Sequence, residues 1–133
     1  MYLSNINWTA VLVATISAFV IGFVWYGPVF GRQWMKEIGL TPEAAKNANM
    51  LKVFGPAFIL TLIMGLMLAL HMHDNSDWLQ GSKLAAMIAL GFIAPTTGVN
   101  YIFCRKTITL WIIDCGYSLV TLCVMGAIIG AWH

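Results

Sequence analysis

Long uninterrupted apolar runs, separated by short polar stretches, dominate the chain. The runs fill residues 8–26, 52–72, 83–103 and 107–132. They show neither the alternation of a half-buried strand nor the narrow stripe of a surface helix. A helix needs about 20 mostly apolar residues to cross a bilayer, and each run supplies them. Turn and cap residues set the ends. Gly27-Pro28 stops the first helix, because proline cannot continue the hydrogen-bond ladder. Thr41-Pro42-Glu43 reads as an N-cap, a first-turn proline and a first-turn acid. A helix therefore starts at Pro42, passes through Ala44, Ala45 and Ala48, and joins the second run, with a kink at Pro56. The pattern predicts an all-α integral membrane protein, a four-transmembrane-helix bundle. It forms one domain over residues 1–133, with helices at about 8–27, 42–73, 83–103 and 107–132.

Composition sharpens this reading. The chain is 60% hydrophobic and 9% charged, against about 25% charged in an average globular domain. A small soluble domain could not hide so much apolar surface. The net charge of +2, without a basic run, points away from nucleic acid. The first seven residues carry no Lys or Arg, so the first helix reads as retained rather than as a signal peptide. Cys104, Cys115 and Cys123 form no CxxC pair and read as small packing side chains.

Basic residues orient the bundle. Arg32, Lys36, Lys46 and Lys52 lie between the first and second helices, and Arg105 and Lys106 between the third and fourth. Lys83, on the other side, is the remaining one of seven. The positive-inside rule then places both termini outside. Trp8, Trp78 and Trp132 mark the outer interface; Trp25, Tyr26, Trp34, Tyr101 and Trp111 mark the inner one. Residues 31–40 mix apolar and charged side chains and form a short interfacial segment after helix one.

Small residues predict where helices touch, since close approach and not hydrophobic burial holds helices together in lipid. Ala10, Ala14, Ala18 and Gly22 form one face of helix one, Ala94 and Gly98 one of helix three, and Gly126 and Gly130 a GxxxG face of helix four. These faces serve packing within one copy or between copies, and a homo-oligomer is expected, because four helices enclose little polar volume.

Asp114 is the one acidic residue inside an apolar run. It lies roughly 10 Å into helix four, at 1.5 Å per residue. A carboxylate at the bilayer centre costs about 2.5–3.5 kcal/mol, and less at this depth, so Asp114 is expected to face the protein interior or a water-filled cavity. Its role is either a proton, cation or substrate site, or a structural bond to another helix or to Arg105 or Arg32. Pro95 and Gly98 interrupt helix three. There Thr96, Thr97, Asn100 and Tyr101, with Thr61 of helix two, form a polar layer near the depth of Asp114. An ordinary proline kink with back-bonded threonines is the alternative. Trp25-Tyr26-Gly27-Pro28 anchors the inner interface and turns the chain off the helix axis. His71 and Asp74 share a helix face and are the weak metal candidates; interfacial polarity is the favoured reading of them. One faint echo, Tyr26 to Arg32 against Tyr101 to Arg105, hints at a distant repeat. No nucleophile set or phosphate loop occurs, so no enzyme activity and no cofactor are expected.

Asn7-Trp8, the block from Trp25 through Tyr26, Gly27, Pro28 and Phe30 to Gly31, then Trp34-Met35-Lys36 and Asp114-Cys115-Gly116-Tyr117 carry a resemblance. The chain resembles the domain of unknown function 1761 family of small bacterial membrane proteins. That resemblance implies a four-helix protein of the bacterial cytoplasmic membrane with no established activity, and it supplies no catalytic residues. The residues favour a small oligomeric transporter or channel around Asp114, with an unidentified small molecule or ion as substrate. The alternative is an accessory protein that organises partner helices or lipids.

Overall fold

The computed structural model describes residues 6–41, 43, 50–72 and 76–132. Helix α1 covers Trp8–Val24. Asn7 caps it, accepting a bond from the Ala10 amide at 3.2 Å, which satisfies one of the orphan donors of a helix start. The helix does not stop at Gly27-Pro28. It widens into a π turn over Trp25–Val29, in which the Phe30 amide donates to the Trp25 carbonyl at 2.8 Å. That longer register spans Pro28, which has no N–H to give. A short amphipathic helix, α2, follows at Gly31–Ile38. Gly39, at φ 73°, closes it: a left-handed residue lets the Leu40 amide reach back to the Met35 carbonyl at 2.9 Å.

Helix α3 covers Met50–Leu70, with Pro56 inside it. The predicted start at Pro42, Ala44, Ala45 and Ala48, and also Lys46, Asp74 and His133, lie outside the described residues. Helix α4, Trp78–Ile88, begins earlier than the apolar run. Asp77 accepts a bond from the Gln80 amide at 2.8 Å and caps it. Gln80, Ser82 and Lys83 dilute the hydropathy of this turn, and Lys83 is exposed. A π turn over Ala89–Ile93 leads directly into α5, Ala94–Phe103. Pro95 therefore does not break the helix. It sits in the first turn of α5, where its missing N–H costs little, and the irregularity lies one turn earlier. Arg105, at φ 57°, closes α5 as Gly39 closes α2, with the Lys106 amide on the Tyr101 carbonyl at 2.9 Å. Helix α6, Ile108–Ala131, follows, capped by Thr107.

All regular structure among the described residues is helical. Among the described residues four helical stretches are long and apolar enough to cross a membrane: Trp8–Val29, Lys52–Leu70, Trp78–Phe103 and Ile108–Ala131. Their packing follows the small residues. Ala10, Ala14 and Ala18 are buried, and a Cβ on Gly22 would meet the Tyr117 hydroxyl at 3.2 Å. Gly126 and Gly130 lie against the Gly81 and Asp77 backbone of the α4 start, leaving no room for a side chain. Between these contacts Ala14, Ala18, Ala85, Leu122, Met125 and Ile129 form the core, with α6 at its centre. The Asn7 side chain donates to the Trp132 carbonyl at 3.2 Å, so the start of the first span and the end of the fourth share one end of the bundle.

Candidate functional site

Asp114 falls at the end of the second turn of α6 and is half-buried. Each of its oxygens accepts a phenol. The Tyr26 hydroxyl donates to Oδ1 at 2.7 Å, and the Tyr101 hydroxyl donates to Oδ2. The two phenols come from different spans, one from the π turn after α1 and the other from α5. Among the described residues Asp114 has no ion pair with Arg32 or Arg105; its partners are neutral.

The π turn aims two consecutive side chains at α6. Beside Tyr26, the Trp25 indole donates to the Ile113 carbonyl at 3.0 Å. A Cβ on Gly116 would fall 2.8 Å from the Trp25 ring, so that glycine admits the indole. Gly27 and Pro28 are exposed; they shape the turn rather than touch the carboxylate. Tyr117, one turn above Asp114, packs at a tilt against Tyr26 with ring centroids 5.1 Å apart and donates to the Ala18 carbonyl at 2.9 Å. Trp34 of α2 covers Tyr26 edge-on at 5.2 Å. On the far side Lys106 lies over the Tyr101 ring, 5.1 Å from its centroid.

The predicted polar layer gathers only in part. Tyr101 reaches Asp114. Thr61 bonds back to the Ala57 carbonyl of its own helix at 2.7 Å, as membrane-helix threonines commonly do. Thr97 is half-buried, while Thr96 and Asn100 are exposed; the Asn100 amide oxygen accepts the Cys104 thiol at 3.7 Å. His71 holds its Nδ1 at 2.8 Å from the Met67 carbonyl at the far end of the bundle, well away from this cluster in sequence and in the fold.

Two features escape the sequence. Tyr26 belongs to the interfacial motif by pattern yet serves as a carboxylate partner. Glu37 of α2 accepts the Thr107 hydroxyl at 2.5 Å and the Gln33 amide at 2.9 Å, tying α2 to the start of α6. Tyr117 was findable, since a residue three positions beyond Asp114 shares its helix face.

A cavity of about 480 Å³ opens between α1 and α3, beside this cluster. Gly22, Gly27 and Ala57 leave its space, and Tyr26 and Tyr117 form its inner wall. Tyr26 thus touches the carboxylate with its hydroxyl and the cavity with its ring. Neither a curated protein nor a solved structure matches the chain. The family model described as protein of unknown function (DUF1761) matches residues 9–130, nearly the whole chain, and the protein belongs to that family.

Proposed function

We propose that the protein is a small transporter of the bacterial cytoplasmic membrane, working as a homo-oligomer, in which Asp114 takes up and releases a proton or a cation. One observation carries this reading: the sole acidic residue of the spans is held by two neutral phenols and, among the described residues, by no basic side chain. An ionised carboxylate costs about 2.5–3.5 kcal/mol or more at the bilayer centre, and less, though not nothing, at the depth of Asp114. Two hydroxyl donors offset part of this but leave the charge uncompensated. A proton or a bound cation compensates the rest, and phenol hydroxyls can turn to accept as well as donate. The basic residues Arg32, Lys36, Arg105 and Lys106 flank the end nearest the site, which the positive-inside rule assigns to the cytoplasm.

Proteoliposomes holding a pH-sensitive dye test the reading. Under an imposed pH gradient the wild-type protein moves protons, and Asp114→Asn lowers the rate by about tenfold or more, within the range usual for loss of a proton-transfer group. A wild-type rate no higher than that of empty liposomes sinks it.

A second reading has its own support. Only 11% of the second span is buried, and α5 has no buried residue, so α3 and α5 offer broad faces to other helices. An accessory protein would use them to hold a partner. Cross-linking in native membranes separates the two: a homo-oligomer buries these faces against its own copies, an accessory protein against another chain.

A further inference from the structure

We infer that the cavity beside Tyr26 binds a lipophilic organic cation, an inference that rests on the transport reading and names its substrate class. The walls supply the argument. Phe19, Phe23, Tyr26, Trp34, Phe54 and Tyr117 line the space, and no Lys or Arg is among the described residues that do. The rings pack in two groups around it: Phe19 and Phe54 at 6.1 Å with Phe23 and Phe54 at 6.5 Å, and Tyr26 and Tyr117 at 5.1 Å. Aromatic faces carry negative potential, and a cation within about 6 Å of a ring gains roughly 0.5–2 kcal/mol.

Tyr26 adds to this. Its hydroxyl donates to Asp114, which pushes electron density onto the ring that faces the cavity. An anion would meet those faces and the carboxylate behind them. A neutral apolar molecule would gain nothing by leaving the bilayer, because the walls are no more apolar than lipid tails. Charge is therefore the one quality this cavity can select in its surroundings. Its volume, about 480 Å³, lies within the roughly 300–1,000 Å³ of small-molecule sites.

Tetraphenylphosphonium and tetraphenylborate share shape and apolarity and differ in charge. Titrated by calorimetry into the purified full-length protein in detergent, the cation is expected to bind at least about tenfold more tightly than the anion. Ala57→Phe fills the cavity away from Asp114, and Trp34→Leu removes one ring from the surface helix; each should weaken the cation by about tenfold or more. Tyr26→Phe keeps the ring but cuts its link to the carboxylate, and should cost less, about threefold. Equal affinity for both ions, or cation binding untouched by both Ala57→Phe and Trp34→Leu, overturns the inference. Proton flux measured on the same protein without the cation keeps the two conclusions apart. Asp114-dependent flux without tetraphenylphosphonium binding removes this inference and leaves the transport reading standing. Selective binding without flux supports the cation site and removes transport.

Discussion

Asp114 depends on two donors more than 10 residues apart from it, Tyr101 at a separation of 13 and Tyr26 at 88. A hydrogen bond to a charged group contributes roughly 1.5–3 kcal/mol. Tyr26→Phe and Tyr101→Phe should each lower stability in detergent by about that amount, read from tryptophan fluorescence on heating. The double variant should not equal their sum, because both donors serve one carboxylate; strict additivity would show that the phenols act independently. Asp114→Asn keeps one acceptor and offers an amide to the other hydroxyl, so it should fold. The residue itself is legible in the sequence as the one acid in an apolar run, and Tyr101 as a neighbour in a polar layer. Tyr26 is not. Its partner lies far along the chain, and Gly27-Pro28 immediately after it reads as the end of a helix.

At the scale of elements, the four apolar runs and the small-residue faces of α1 and α6 can be read directly, because lipid imposes length and close approach imposes size. The two π turns cannot. Hydropathy treats Pro28 and Pro95 as stops, whereas the backbone absorbs each by a wider turn or a helix start. The first turn of α4 was hidden for another reason: its polar residues weaken the apolar pattern, and only Asp77, as an N-cap, betrays it. Helix ends give two opposed predictions. Gly39→Ala places a Cβ on a left-handed residue and should destabilise the protein by about 1 kcal/mol. Arg105→Gly relieves the same conformation and should stabilise it by up to about 1 kcal/mol. Thermal midpoints compared in one detergent check both, and equal signs would refute the argument. Bulk is less forgiving at Gly126, which abuts the Gly81 backbone. Gly126→Leu should separate α4 from α6, seen as loss of the folded species on size exclusion.

Across the whole molecule the contacts are uneven. Helix α6 joins α1 and α4 in a small-residue core to which α3 adds Leu68, while most of α3 and all of α5 stay outside it. If copies cover those faces, light scattering of the solubilised protein should give at least about twice the 14.7 kDa chain mass once detergent is subtracted. A single-chain mass in mild detergent would count against the oligomer. Asn7 and Trp132, joined across the bundle by one hydrogen bond, allow a stricter experiment. Two copies can be spliced there through a short tether into one polypeptide. Since Asn7 and Trp132 lie at one end of the bundle, the tether forces both copies to point the same way. A spliced pair that retains full activity would establish that neighbours function side by side in parallel; one that is inert, while its cleaved halves recover, would establish that they must alternate.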